Sequence, residues 1–134
     1  MKSKQVIVIR KDLNMKKGKA IAQGAHASLK VFFDKISIQR KEHTNVTLAS
    51  FPITSDYEAD WINGSFTKIV VSVNSEKELL DIWAESKERG ILCSLIQDEG
   101  RTEFNGVLTY TAVAIGPDNS DTIDKITKDL PLYK

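Results

Sequence analysis

Apolar residues form four short runs, and the segments between them have helical or polar patterns. The runs are continuous rather than alternating, which is typical of strands buried on both faces of a sheet. They cover residues 5–9, 67–73, 91–96 and 107–115. Helices are predicted from Lys17 to about Asp34, from Ser75 to Arg89 and from Asp118 to Leu130, with a short one over 57–63. The pattern predicts an α/β domain, a three-layer α/β/α sandwich around a mixed four-stranded sheet.

The segment from Ser37 to Ser55 breaks this alternation. It is rich in Thr, Ser and Asn around Pro52 and has only weak periodicity. We therefore expect a long loop or insertion at about residues 36–56, within a single domain that spans residues 1–134. Loops of this length are often functional or disordered.

The first helix has two faces with different chemistry. One face is a polar stripe about 60° wide; its members are Lys19, Gln23, His26 and Lys30. The opposite side is apolar and is expected to be the buried face; it carries Ile21, Ala25, Leu29 and Phe32. The polar stripe is basic and amide-rich without an acid, whereas a solvated helix face usually mixes both signs of charge. This asymmetry indicates a partner or a pocket.

Charge is distributed unevenly along the chain, although the formal net charge is only +1. Residues 1–45 hold eleven Lys or Arg against three acids, whereas the remainder holds eight basic and fifteen acidic residues. Such polarisation favours a basic surface that binds a polyanion. Solubility charges clustered by chance are the alternative.

Several classes of protein lack support in the sequence. No apolar run approaches the roughly 20 residues of a membrane span, and the apolar segment before Arg10 is too short for a signal peptide, so a cytoplasmic location is expected. Cys93 is the single cysteine and lies in an apolar run, as a buried hydrophobic residue does. Two histidines and one cysteine without ligand spacing predict no metal site, and no serine or thiol hydrolase signature is present.

Two polar loops follow predicted strands, at residues 14–19 and 97–103. Ligands of α/β proteins bind where such loops gather. The first loop also leads into a helix N-terminus, which suits a phosphate, and Gly18 there lets the backbone approach a ligand closely.

The residues alone leave the roles of the polar side chains open. Lys19 is either an anchored cation or a solvated helix residue, and His26 is either functional or simply solvent-facing. Asp98 and Thr102 either orient a water molecule or form an Asx-type turn around Gly100, and the spacing favours the turn.

Four collinear segments resemble motifs of one enzyme family. The first is Met15-x-Lys17-Gly18-Lys19-x-x-Ala22-Gln23-x-x-His26-Ala27. The others are residues 68–71 (KIVV), 94–103 (SLIQDEGRTE) and 111–117 (TAVAIGP), and the closing residues 130–133 resemble a Leu-x-Leu-Tyr ending. Together they resemble the type 2, archaeal and eukaryotic, peptidyl-tRNA hydrolases over the whole chain except about residues 36–56. That segment is longer than the link usual in the family.

The resemblance implies an enzyme that cleaves the ester between a peptide and the 3′ end of tRNA. Such an enzyme frees tRNA from stalled translation (ribosome rescue), uses no metal or cofactor, and is usually a homodimer. The catalytic lysine, aspartate and threonine of the family fall on Lys19, Asp98 and Thr102. The other positions expected to bind substrate are Gly18, Gln23, His26 and Thr111, with Lys16, Lys17, Lys30 and Arg101 as phosphate contacts.

The expected mechanism has Asp98 orienting water, Lys19 stabilising negative charge and Thr102 holding the water or the carbonyl. Glu99 stands where the family commonly has alanine, and we expect this extra carboxylate to raise the pKa of an acid beside it. The alternatives are a non-catalytic tRNA- or protein-binding member of the same fold and a hydrolase of a different ester.

Overall fold

The structure, a computed structural model, describes residues 2–134. In chain order the elements are β1 (Ser3–Arg10), α1 (Lys17–Phe33), β2 (Ser37–Arg40), β3 (Thr47–Ser50), α2 (Asp56–Asp60), a π-helical turn (Trp61–Ser65), β4 (Lys68–Val73), α3 (Glu76–Glu88), β5 (Cys93–Asp98), a 3-10 turn (Phe104–Gly106), β6 (Thr109–Asn119) and α4 (Ser120–Thr127). No helix among these residues is long and apolar enough to cross a membrane.

The main sheet has the order β4-β1-β6-β5. β1 is parallel to β4 and antiparallel to β6, and β6 is antiparallel to β5. The two central strands are almost fully buried because their sequences are apolar toward both faces. The predicted mixed four-stranded sheet is confirmed.

Helices cover both faces of this sheet. α1 lies on one face, where its buried side chains join Ile7, Ile9 and Trp61 in one core cluster. α3 and α4 lie on the other face, where Leu79 and Ile123 pack with residues of all four strands. The α/β fold class is therefore as predicted, with a core on each side of the sheet.

Within the described residues, one edge strand of the sheet is covered by another segment of the chain, and the other is not. The edge of β4 is covered by the C-terminal tail: Leu132 forms a bridge to Val71, and the Ser72 amide donates to the Pro131 carbonyl at 2.9 Å. β5 forms the other edge, and no strand within residues 2–134 pairs with its free side.

The segment expected to be a long loop contains a β-hairpin. β2 and β3 pair antiparallel, from Ser37 opposite Ser50 to Arg40 opposite Thr47, and every residue of both strands is exposed. Neither face is buried, so the sequence has no apolar alternation from which strands are predicted.

Several boundaries differ from the prediction; β5, for example, was predicted over 91–96 and is Cys93–Asp98. β6 does not stop at Gly116 but continues to Asn119, because its last residues pair with Ser3 and Lys4 of β1. α4 is accordingly shorter, and the Asn119 side chain caps it by accepting from the Asp121 amide. The short helix predicted over 57–63 is the α2 turn followed by the π-helical turn.

The predicted faces of α1 are wrong in part. Its small residues Ala20, Gly24 and Ala27 face the sheet, where a Cβ on Gly24 would already lie 3.6 Å from Ile9. Of the side chains expected to be buried, Phe32 is buried, but Ala25 is exposed and Ile21 and Leu29 are 67% and 51% exposed. Close helix–sheet contact thus selects small residues, and larger apolar ones remain outside. Cys93, expected to be buried, is only half-buried.

These outward side chains form one surface feature. Ile21, Ala25, Leu29 and Phe33 recur every fourth residue along α1 and are all exposed. We refer to these four residues as the apolar ridge. It borders a groove of about 930 Å³ whose walls include Phe51, Trp61, Ile62 and Phe66.

Candidate active site

The first turn of α1 and the end of β5 bring three predicted residues together. Lys19 Nζ donates to Oδ1 of Asp98 at 2.7 Å and to Oγ1 of Thr102 at 3.2 Å. The side chains of Lys19 and Asp98 are only 17% and 15% exposed. An ammonium, a carboxylate and a hydroxyl therefore share one partly desolvated position at the end of the sheet.

The turn after β5 fixes the orientation of Asp98. The amide of Gly100 donates to Asp98 Oδ2 at 2.9 Å, so the predicted Asx-type turn is confirmed. Gly100 has φ +77°, and a Cβ there would lie 2.6 Å from the Val107 carbonyl oxygen. The turn thus excludes any side chain at position 100. The Asp98 carboxylate therefore accepts from the Gly100 amide within the turn and from Lys19 at the same time.

A buried polar chain supports Asp98 from behind. Gln23 Nε2 donates to Asp98 Oδ1 at 3.4 Å, and Thr111 Oγ1 donates to Gln23 Oε1. Gln23 is 1% exposed and Thr111 is fully buried. Gln23 was expected on the polar stripe of the helix, but its side chain is buried and contacts Asp98 from the interior side, and Thr111 contacts Gln23 in turn. Their hydrogen bonds hold the carboxylate in place. The prediction that both residues bind substrate is not tested by these contacts.

The electrostatics of the cluster keep Asp98 ionised. The hydrogen bond from Lys19 lowers the pKa of Asp98, and this outweighs the desolvation that raises it. The Gly100 amide, the charge of Lys19 and the Gln23 amide lower the pKa further. The expectation that Glu99 raises the pKa of this acid is therefore wrong. Glu99 instead pairs with Nε of Arg101 at 2.7 Å, and both side chains are largely exposed.

The remaining predicted residues surround this cluster without joining it. Lys16, Lys17 and Gly18 are exposed at the start of α1, and a Cβ on Gly18 would meet nothing within 4 Å. His26 and Lys30 lie farther along the helix and line a second groove of about 630 Å³ with Ile96 and Gln97. Lys30 also pairs with Asp34, one turn on.

Two residues at the site received no role from the sequence. The Phe104 ring centroid lies 6.0 Å from Lys19 Nζ. An oxygen of the Glu103 carboxylate accepts from the Lys16 amide at 3.4 Å, which ties the 97–103 loop to the start of α1. Glu103 is the last residue of the 94–103 motif, whereas the only signal for Phe104 was its position directly after that motif.

This arrangement fits the hydrolysis of an ester. An ionised carboxylate can accept a hydrogen bond from water and increase its nucleophilicity. A neighbouring ammonium with little access to solvent can stabilise the oxyanion that forms when water attacks a carbonyl carbon. Among residues 2–134 no group of three or more His, Cys, Asp or Glu side chains could hold a metal ion.

Comparisons with known proteins agree with this class of chemistry. Residues 3–133 match the model of the family described as Peptidyl-tRNA hydrolase PTH2. The chain belongs to this family, and it is therefore an enzyme of the peptidyl-tRNA hydrolase type.

Relatives named peptidyl-tRNA hydrolase match the chain almost from end to end. One from Methanocaldococcus jannaschii is 43% identical over 129 residues, which cover 96% of this chain and 98% of the relative. One from Methanococcus maripaludis strain C6 is 45% identical over 128 residues, covering 96% and 97%. One from Methanothermobacter thermautotrophicus is 40% identical over 129 residues, covering 96% and 98%.

Proposed function

We propose that this protein hydrolyses the ester bond between a peptide and the 3′ end of tRNA, and that Lys19, Asp98 and Thr102 carry the reaction. The observation that supports this most strongly is the 2.7 Å contact between Lys19 Nζ and Asp98 Oδ1. This contact places a cation beside a carboxylate that can orient the attacking water, in a partly desolvated site. The identity of the substrate is inferred from the family and from the names of the relatives.

The reaction begins with a water molecule that donates a hydrogen bond to Asp98. The water oxygen bonds to the ester carbonyl carbon, and the carbonyl oxygen becomes an oxyanion. When the tetrahedral intermediate collapses, the bond to the ribose oxygen breaks. One proton of the water ends on that ribose oxygen, and the other is released to solvent when the new carboxylic acid ionises, so the products are a free tRNA and a peptide carboxylate.

Lys19 stabilises the negative charge that develops in this sequence. Its ammonium has three donors and uses two of them on Asp98 and Thr102, so one remains for the oxyanion or the departing ribose oxygen. Removing one such donor typically costs about 10²–10³ in rate. The Thr102 hydroxyl, 3.2 Å from Lys19 Nζ, holds the water or the carbonyl.

Exposed basic residues around the cluster bind the tRNA backbone in this proposal. Lys16 and Lys17 lie at the N-terminus of α1, where free backbone amides also favour phosphate. Lys30 and Arg101 extend the positive surface on either side, and His26 lies between Lys19 and Lys30 along the helix. Because phosphate contacts release counterions, binding should weaken steeply with salt. A tRNA substrate supports the cytoplasmic location that forms part of this proposal.

We also propose that the protein is a homodimer that pairs through the apolar ridge. Ala25 is the small residue of the ridge, and an antiparallel pair of α1 helices that cross at Ala25 sets Ile21 of one copy against Leu29 of the other. The same pairing brings Lys17 near Asp34 of the second copy. The apolar groove beside the ridge offers space for side chains of the second copy's α1 helix.

The test of the activity is hydrolysis of an N-acetylated aminoacyl-tRNA by the purified full-length protein in chelator, with tRNA binding measured in parallel over a range of salt. We expect release of free tRNA together with salt-sensitive binding. Salt-sensitive binding without hydrolysis would contradict the enzyme and support a non-catalytic tRNA-binding member. Hydrolysis of simple esters but not of this substrate would indicate a different ester.

A further inference from the structure

β5 is the sheet edge that the fold leaves open. Native proteins cover or block sheet edges, because unpaired backbone groups recruit other chains. Here the C-terminal tail covers β4 through the contacts of Leu132 and Pro131. No segment within residues 2–134 pairs in the same way with β5, although β5 is six residues long.

The register of β5 shows which backbone groups face this free edge. The Gly116 amide donates to the Leu92 carbonyl at 2.7 Å, so these two residues form a hydrogen-bonded pair. Bonding alternates along antiparallel strands, and therefore Ser94 bonds to β6 as Leu92 does. The N–H and C=O groups of Cys93 and Leu95 point away from β6, toward the free edge.

This edge runs directly into the active site. Asp98 is the last residue of β5, and Gln97 before it is exposed. Ile96 and Gln97 line the groove of about 630 Å³ with His26 and Lys30 of α1. A chain paired with β5 in the direction from Cys93 to Asp98 therefore passes this groove at Ile96 and Gln97 and ends where Lys19 contacts the carboxylate.

We propose that the open edge of β5 binds the peptide part of the substrate as an added parallel strand, an inference that rests on the proposed function. The ester is at the carboxyl end of the peptide and must reach Asp98. Only a peptide parallel to β5 brings that end to the carboxyl end of the strand. Strand addition at a sheet edge is an established mode of peptide recognition.

This mode of binding suits a substrate of variable sequence. Main-chain hydrogen bonds are the same for every peptide sequence except at proline, so the edge would accept nearly any nascent chain. The contribution of these hydrogen bonds to kcat/KM should grow with peptide length until the peptide is as long as the six residues of β5.

The first test uses the full-length protein and tRNAs that carry one, two, four or six residues with the same C-terminal amino acid. We expect kcat/KM to rise about 2- to 10-fold for each added hydrogen bond and to level off near six residues. N-methylation of single peptide amides should lower kcat/KM at every second residue, because amides of a strand alternate in direction. A flat length series, or losses without this alternation, would overturn the inference.

A second test uses the variants Leu95→Pro and Leu95→Ala. Both remove the leucine side chain, but only proline also removes the N–H that faces the free edge. We expect the ratio of kcat/KM between the six-residue and one-residue substrates to persist in Leu95→Ala and to fall several-fold in Leu95→Pro. Equal ratios in the two variants would overturn the inference. If Leu95→Pro does not fold, the N-methyl series on the unmodified protein decides.

Two further outcomes separate this inference from the rest of the account. No hydrolysis of any substrate would overturn the proposed function and the inference together, whereas hydrolysis with a flat length series overturns the inference alone. Sedimentation that shows dissociation of a dimer in Leu95→Pro but not in Leu95→Ala would assign the edge to a second copy of the chain and would overturn peptide binding there.

Discussion

Lys19 Nζ on α1 lies 2.7 Å from Asp98 Oδ1 at the end of β5, although 79 positions separate the two residues in the chain. The carboxylate of Asp98 fixes the direction of the flexible lysine side chain, and the lysine ammonium keeps the carboxylate ionised. Gln23 and Gly100 hold the carboxylate from two further directions. The contact is therefore a preorganised one, which is the condition under which a charged pair stabilises a developing oxyanion.

The first prediction concerns the ionisation of Asp98. Its pKa in the folded protein is below the ordinary aspartate value, chiefly because of the Lys19 hydrogen bond. Carboxyl ¹³C NMR titration should show this, and Lys19→Met should move the pKa upward. Because the folded pKa is depressed, Asp98 stabilises the protein above its unfolded pKa, and the effect is lost as pH falls through the folded pKa. An Asp98 pKa at or above the ordinary value would contradict the account.

The second prediction concerns the buried polar chain. Gln23→Met removes the acceptor of the Thr111 hydroxyl and a donor to Asp98, so we expect a loss of about 1–3 kcal/mol in stability and slower hydrolysis. Thr111→Val removes the other partner. Because the two residues are in contact, the double variant should lose less than the sum of the single losses. Urea unfolding measures this, and strictly additive losses would show that the pair is not coupled.

The third prediction compares two glycines. Gly100→Ala should destabilise the protein and displace the loop that carries Thr102, since the new Cβ meets the Val107 backbone at 2.6 Å. Gly18→Ala meets no neighbour and lies inside α1, so it should raise stability by about 0.5–1 kcal/mol. If the backbone at Gly18 approaches the substrate closely, KM should nevertheless rise. Thermal melts and steady-state kinetics of both variants check these expectations, and an unchanged melt for Gly100→Ala would contradict the first.

The fourth prediction concerns the apolar ridge. Leu29→Glu places a charge in the proposed interface and should convert a dimer into a monomer, as measured by sedimentation equilibrium. Leu29 is 51% exposed in the single chain, so the variant should fold normally. Leu108→Glu is a matched control, because Leu108 is also exposed but is not part of the apolar ridge. If the unmodified protein is a monomer, or if the Leu29→Glu variant remains a dimer, the apolar ridge is not the dimer interface.

Much of the fold could be predicted from the sequence because the central strands are continuous apolar runs. The hairpin of β2 and β3 could not, since neither of its faces is buried and its strands have no periodicity. The faces of α1 were misjudged for a related reason. Its sheet-facing residues are small, so the larger Ile21 and Leu29 dominated the pattern, although they point outward.

The candidate site could be predicted only in part. Family motifs indicated Lys19, Asp98 and Thr102, and the structure brings these three side chains into contact. The motifs did not indicate that Gln23 is buried behind Asp98, because a helical pattern alone assigns glutamine to the solvent side. The covering of β4 by the tail, which leaves β5 as the open edge, depends on contacts distant in sequence.

The most direct test of the central claim is a double-mutant cycle on Lys19 and Asp98. Single-turnover hydrolysis of an N-acetylated aminoacyl-tRNA would be measured at saturating enzyme for Lys19→Ala, Asp98→Ala and the double variant, with Lys77→Ala on the distant α3 as the control. We predict that each single variant loses about 10²–10³ in rate, that the double variant loses little more, and that the control is unaffected. Normal turnover by Lys19→Ala, with its fold intact by circular dichroism, would contradict the account.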